Sequence, residues 1–401
     1  MTLLNEHRLN PDGGTHSEAL IKEARQRQRK RRWFIGMVVL IVAVGSGVWA
    51  ASNDGKGTKL PSTLKKPAHA RSPAGAPGSA KRTVTLSAVP VKRMNALSDV
   101  WCSGPSSCIA VGSYYVSTTP PAHPLVARWN GRSWTLVEPK TLSCASVASC
   151  AARWTVAPVA RGFVSCSSTR FCIAVGGTLT QYWNGLRWIR TRMVNPAPPF
   201  PVVSCVSSRF CMEVGSYNTG VGAMPSPSFR SFLFAAVWDG LRWKKVNVKS
   251  VNPKANENLA NVSCTSSKAC TAVGDYYGPT GTTVTLVERW NGVTWAIQRS
   301  PNPSRIGYNA LAAVSCASST ACMAVGTIDG GTPFSESWNG TKWKIESMPV
   351  PKTIEPGGEF TGVSCPSESA CVAVGSDSGA TLAETWNGRG WHIRTTPDPA
   401  R

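Results

Sequence analysis

A stretch ending in Val-Gly returns six times along this chain: VWCSGPSSCIAVG (100–112), VSCSSTRFCIAVG (164–176), VSCVSSRFCMEVG (203–215), VSCTSSKACTAVG (262–274), VSCASSTACMAVG (314–326) and VSCPSESACVAVG (363–375). A second marker follows each one, Trp, Asn or Asp, Gly, two residues and Trp again: WNGRSW (129–134), WNGLRW (183–188), WDGLRW (238–243), WNGVTW (290–295), WNGTKW (338–343) and WNGRGW (386–391). The first tryptophans of successive markers lie 54, 55, 52, 48 and 48 residues apart, and the markers use twelve of the 16 tryptophans. A period of that length means an array of like units, because one such unit cannot bury its faces alone.

Each unit reads as four short strands. One ends at the first Cys, one runs through C-x-A-V-G, one enters the first Trp, and one leaves the second, as in WKIESMPVP (343–351). Asn-Gly between apolar runs is a strong hairpin signal, since both residues must tolerate positive φ. Proline closes most units and discourages further pairing. Four strands per repeat of about 40–50 residues is the propeller signature, so the expectation is an all-β protein with a β-propeller of four-stranded blades over residues 83–401. The stretch LSCASVASCAARW (142–154) looks like a seventh, reduced unit that passes straight to TVAPV (155–159). Counting it predicts seven blades, with six as the alternative. The segment TVTLSAVPV (83–91) resembles a closing strand and is expected to latch the ring beside the C-terminal unit.

All 14 cysteines fall into local C-x5-C pairs: Cys102/Cys108, Cys144/Cys150, Cys166/Cys172, Cys205/Cys211, Cys264/Cys270, Cys316/Cys322 and Cys365/Cys371. Zinc would need two pairs together or histidines beside them, and only His123 and His392 lie in the repeats. Redox centres favour C-x-x-C. The spacing therefore points to one structural disulfide per unit in an oxidising compartment, with no metal and no cofactor. Each would close a loop of about seven residues and contribute at most roughly 2–2.5 kcal/mol. The expectation is a staple on a turn rather than on the whole fold.

The N-terminal fifth, residues 1–82, differs in kind. Residues 1–32 carry eight Lys or Arg against four acids and end in RQRQRKRR (25–32). They precede WFIGMVVLIVAVGSGVWAA (33–51), 19 uncharged residues, about the length of a membrane-crossing helix. Basic residues before such a span stay in the cytoplasm. This predicts a cytoplasmic segment (1–32), a transmembrane signal anchor (33–51) and an extracytoplasmic repeat domain at the cell membrane. The alternative is a secreted protein cleaved near VWA (48–50). Residues 52–82 are rich in Pro, Gly, Ala, Ser and Lys and read as a disordered tether.

The tandem SC-x5-C-x-AVG and WNG-x-x-W units, over residues about 98–398, resemble those of secreted or membrane-anchored bacterial, especially actinobacterial, β-propeller-like repeat proteins. That resemblance extends to the repeat alone and implies no catalytic residues. G-x-x-W also has a likeness to the Asp-box of sialidase-type propellers, but Trp stands where that motif has its aspartate.

If the strands of a unit alternate in direction, the C-x5-C and W-N-G turns share one face, and the loops after Val-Gly share the other. The first set is fixed in length; the second varies, from GTLTQ (177–181) to SYNTGVGAMPSPSFRSFLF (216–234). Variable loops on a rigid frame are where binding sits. They hold the candidate ligand residues Tyr114, Tyr115, Tyr217, Asp275, Tyr276, Tyr277, Tyr308 and Asp329, with Phe229, Phe232 and Phe234 nearby. Glu213 joins them because it takes the alanine position of C-x-A-V-G. Glu288, Glu336 and Glu384 recur two residues before a first Trp and read as structural.

No G-x-S-x-G, H-E-x-x-H or P-loop pattern is present, and residues 96–401 hold 16 acids against 26 basic residues, spread without a stripe. That distribution argues against nucleic acid. The expected function is a membrane-tethered binding module for a cell-envelope polymer, glycan or surface protein. The alternative is a carbohydrate-active enzyme, hydrolase or lyase, on the same scaffold.

Overall fold

The repeat unit folds around its two markers. In five of the units the paired cysteines sit directly opposite one another on a tight hairpin, as in Cys102↔Cys108 and Cys264↔Cys270. Six disulfides close there, with Cα atoms 3.9–4.0 Å apart. Cys144 is also disulfide-bonded, while Cys150 lies outside the described residues. The two tryptophans of each W-N-G marker face each other across the second hairpin, ring centroids 5.6–6.0 Å apart. The turn between them is held by its Asn or Asp, whose Oδ1 accepts from two following backbone N–H groups, as Asn291 does from Val293 and Thr294 at 2.9 Å. Gly292 at φ 99° supplies the left-handed residue this turn requires.

The Val-Gly ending has a steric cause. A Cβ on Gly274 would lie 2.0 Å from the Asn258 carbonyl oxygen of the adjoining strand, and Gly112, Gly326 and Gly375 are equally hemmed in. A β-bulge in the first strand brings its backbone this close.

The computed structural model describes residues 95–397 except 115–122, 147, 149–150, 153–162, 177–178, 193, 220–229, 253–255, 279–280, 306, 330, 350–357 and 378. These belong to the second of two units, Leu86–Arg401; the first is Met1–Thr85. The cytoplasmic segment, the anchor, the tether and the 83–91 latch all lie outside the described residues, as does Tyr115. Among the described residues no helix is long and apolar enough to cross a membrane.

Among the described residues twenty-four strands, β1 to β24, form six antiparallel sheets, each of four consecutive strands. The blades span 95–136, 163–191, 202–246, 257–298, 309–346 and 359–394. Their first strands, β1 (Asn95–Gly104), β5 (Phe163–Ser168), β9 (Val202–Ser207), β13 (Glu257–Ser266), β17 (Asn309–Ser318) and β21 (Glu359–Ser367), all contribute to one central channel. Apolar clusters fill the junctions between blades. The sixth blade packs on the first, so the ring is closed.

Besides stapling their turns, the disulfides reach into this core. Cys172 and Cys211 open the second strands of their blades, β6 (Phe171–Gly176) and β10 (Phe210–Thr219), and both are fully buried. Each belongs to the apolar cluster of a junction, Cys172 between the first and second blades and Cys211 between the second and third. The reason is positional: a second strand is flanked by two others within its blade, and neighbouring blades cover both of its faces. The staples are local, as expected, and Cys108, Cys270, Cys322 and Cys371 are core members in the same way as Cys172 and Cys211.

The expectation of seven blades is corrected. Among its described residues the Cys144 segment forms no sheet: a 3-10 turn (Pro139–Thr141) leads into a short stretch that buries Leu142, Ala151 and Ala152 between the first and second blades. Its place follows from a ladder of hydrogen bonds around the ring. At five junctions the Cys N–H of one blade donates to the serine hydroxyl of the preceding V-S-C: Cys102 to Ser364, Cys205 to Ser165, Cys264 to Ser204, Cys316 to Ser263 and Cys365 to Ser315, at 2.9–3.0 Å. The first blade has V-W-C instead. Trp101 cannot make that bond, and it packs against the inserted segment at the one junction that has such an insertion.

Candidate functional site

The two fixed-length turns do meet on one face. Within their own blades, Trp129, Trp238 and Trp290 donate their indole N–H to the carbonyls of Pro105, Ser208 and Ser267 in the cysteine turns, at 3.1–3.2 Å. The loops after Val-Gly therefore emerge on the opposite face, where the chain also enters each first strand. Glu257 and Asn309 pin these entries: Glu257 Oε1 accepts from the N–H groups of Val251 and Asn252 at 2.7 and 2.8 Å, and Asn309 Oδ1 accepts from Ser304 at 2.9 Å.

The sequence-derived candidates divide between packing and exposure. Tyr114 stacks on His123 at 5.1 Å and leans on the core between the sixth and first blades. Tyr217 stacks on Phe232 at 5.6 Å, with Lys245 Nζ 5.5 Å from its ring centroid. Tyr276 packs on the core between the third and fourth blades, and Phe234 is buried outright. Phe229 lies outside the described residues. Tyr277 and Tyr308 each expose 45% of their surface.

Asp329, at φ 46°, acts as a clip: its Oδ1 accepts from Tyr308 N–H at 3.1 Å and its own N–H donates to the Tyr308 carbonyl at 3.0 Å. Asp275 accepts from Asn258 Nδ2 at 3.4 Å, while Asn258 Oδ1 accepts from Ser216 of the third blade at 3.0 Å. Burial raises the Asp275 carboxyl to about 6. Burial, followed by the charges of Asp275 and Glu359, raises the Tyr308 hydroxyl to about 12. The charges of Asp275 and Glu359, from the fourth and sixth blades, thus act on the Tyr308 hydroxyl of the fifth. Glu359, absent from the sequence-derived set, is exposed at the start of β21.

Glu213 is elsewhere. It sits mid-strand, opposite Val203 and Ala236, at 4% exposure, and burial raises its carboxyl to about 7. A second acid missed in the sequence is Asp99, which lines the central channel at the register position held by Phe163, Val202, Asn261, Ala313 and Gly362 in the other blades. It is half-buried in the channel wall. Burial lifts its carboxyl to about 7 against the opposing pull of the Val100 N–H, 2.8 Å from Oδ1. Glu288, Glu336 and Glu384 are fully buried and raised to about 8, chiefly by burial. Glu336 accepts from Ser300 of the preceding blade at 2.7 Å, whereas neither oxygen of Glu384 has a partner among the described residues. Among the described residues no three His, Cys, Asp or Glu side chains cluster as a metal site.

By its own strand pairings the chain is a six-bladed, disulfide-bearing β-propeller. No family model and no curated protein sequence matches it. Among solved structures it is similar to a fucose-specific lectin from Aleuria aurantia, at 12% identity over 78% of this chain and 100% of that one, with a TM-score of 0.47. It is also similar to YCF48 from Cyanidioschyzon merolae, at 14% over 78% and 86% with a TM-score of 0.38. An alpha-L-arabinofuranosidase from Fusarium graminearum gives 12% over 74% and 92%, with a TM-score of 0.41. Likenesses this distant carry no argument about what this chain binds.

Proposed function

We propose that this chain is a membrane-tethered, extracytoplasmic binding module that engages an envelope glycan or a surface protein through its variable-loop face. The observation that supports this most is the exposure of Tyr277 and Tyr308 on that face, with the charges of Asp275 and Glu359 on neighbouring blades acting on the Tyr308 hydroxyl. Flat apolar rings beside hydroxyl and carboxylate groups suit both sugars and protein side chains. Six disulfides suit an oxidising compartment. A helix over residues 33–51, with the basic leader inside, would hold the propeller there.

The rival reading is a carbohydrate-active enzyme. Glycoside hydrolysis uses two carboxyl groups flanking one bond, and Glu213 is packed within the wall of the ring, which favours binding over turnover. The test is a screen of the purified chain against cell-wall glycans, with affinity and turnover read together. The expected result is binding without turnover, weakened about tenfold or more by Tyr277→Ala with Tyr308→Ala and unchanged by Glu213→Gln. Turnover that disappears in Glu213→Gln would establish the enzyme instead. Protease added to intact cells should digest the propeller and spare the N-terminal peptide; a propeller protected until lysis would refute the topology.

A further inference from the structure

The face with the fixed-length turns carries six comparable seats, one at each junction. Each is floored by the first tryptophan of one blade and walled by the end of the third strand of the blade before it. Five are filled by the chain itself. Tyr182 of the second blade sits against Trp238 of the third, 5.6 Å between centroids. Val237 of the third packs into the cluster that holds Trp290 of the fourth. Arg289 of the fourth lies 4.6 Å from the ring centroid of Trp338 of the fifth, and its Nη2 donates to the Ser319 carbonyl at 2.6 Å. Arg394 of the sixth, held by Thr385 Oγ1 at 2.7 Å, lies 5.8 Å from Trp129 of the first. Between the first and second blades the insertion packs Ala151 into the cluster around Trp183.

The remaining seat, between the fifth and sixth blades, is an open cleft of about 330 Å³. Ser337 stands where Arg289 stands one blade earlier, and its hydroxyl turns away to donate to Glu346 at 2.7 Å. Trp386 lines the cleft and, like Trp183, stays partly exposed, whereas Trp129, Trp238, Trp290 and Trp338 at the same register are 1–7% exposed. The indole of Trp386 also lacks the bond to its cysteine turn that Trp129, Trp238 and Trp290 make. The turn residue concerned is Glu368, third after Cys365, as Ser319 is third after Cys316. Its carboxylate is exposed at the cleft, where Oε1 accepts from Ser318 Oγ across the junction at 3.2 Å.

We propose that this cleft binds a guanidinium group, the arginine side chain of a partner protein, stacked on Trp386 and paired with Glu368. The molecule supplies its own precedent. One junction away an arginine of this chain already lies on the equivalent indole and donates to the equivalent turn. The Ser337 cleft keeps that floor, omits the occupant and adds a carboxylate. A cation over an indole face is attracted by the ring quadrupole, and the planar guanidinium fork matches a carboxylate in a way an ammonium does not.

The experiment uses the full chain in detergent, labelled with fluorotryptophan and titrated with a capped Gly-Arg-Gly peptide. The fluorine resonance missing from Trp386→Phe reports the cleft. A saturable shift is expected, roughly tenfold weaker for the Gly-Lys-Gly peptide and for Glu368→Gln, and absent in Ser337→Arg, where the chain fills the seat itself. Ser337→Arg should melt no lower than the parent, so loss of binding there is not loss of fold. The proposal is overturned if no shift occurs, if Ser337→Arg titrates like the parent, or if methyl pyranosides saturate the resonance and the peptide does not. Tyr277→Ala and Tyr308→Ala should leave this titration unchanged, which separates it from the loop-face reading.

Discussion

Glu288, Glu336 and Glu384 are acids held where water does not reach, and each has a carboxyl pushed up to about 8 from an ordinary 4.5. Below pH 4.5 both the folded and unfolded chains carry these protons, and the burial is fully compatible with folding. As pH rises from 4.5 to about 8, the unfolded chain releases protons that the folded chain retains, so stability declines across that window and then levels. Calorimetry should show a higher Tm at pH 5 than at pH 8. Glu384→Gln should raise stability at pH 8 by on the order of 2 kcal/mol and change little at pH 5; an unaltered pH slope would mean that Glu384 is ionised in the fold. Residues differ in how plainly the sequence announces them. Glu213 was visible because its sister repeats place alanine there, and the structure finds it in the same buried layer as Ala110 and Ala272. Asp99 was not, since its register holds Phe, Val, Asn, Ala and Gly in the other blades and offers no consensus to depart from.

Among elements, the hairpins were legible and the junctions were not. Cysteine spacing and Asn-Gly turns encode pairing within a blade, and those pairings formed as read. The spacing did not reveal that Cys172 and Cys211 would also line junctions, because burial is set by the neighbouring blade. Contacts between blades depend on which face of a strand meets its neighbour, and a single substitution carries that information: V-W-C for V-S-C at Trp101. The Cys144 pair kept the spacing of a blade without the flanking strands, and spacing alone suggested seven. Ser263→Ala and Ser315→Ala should each destabilise the ring by about 1 kcal/mol, the scale of one partly buried hydrogen bond. Trp101→Ala should cost about 3 kcal/mol, since it empties the junction against the insertion. Urea unfolding would measure both; a Trp101→Ala loss no larger than the serine losses would mean the insertion is not seated on that ring.

At the largest scale, the second unit is a ring in which every blade is built of four consecutive strands. Closure rests on packing between the sixth and first blades, with Cys102 N–H donating to Ser364, Thr361 Oγ1 to the Leu97 carbonyl and Asn95 N–H to the Gly379 carbonyl. Strand alternation made the two faces legible from the sequence. What those faces recognise was not, because recognition lies in residues that break the repeat, such as Ser337 and Glu368, whose meaning appears only beside Arg289 and Ser319. The architecture also has a mechanical side. β1 begins at Asn95, so tension applied N-terminal to it would peel that strand from its end, parting Asn95 from Tyr114 first. The peel would halt at the Cys102–Cys108 bond, which makes that disulfide a stop against extension. In single-molecule pulling from the N-terminus, the oxidised ring should yield a short arrested step before its main rupture, and reductant should lengthen it.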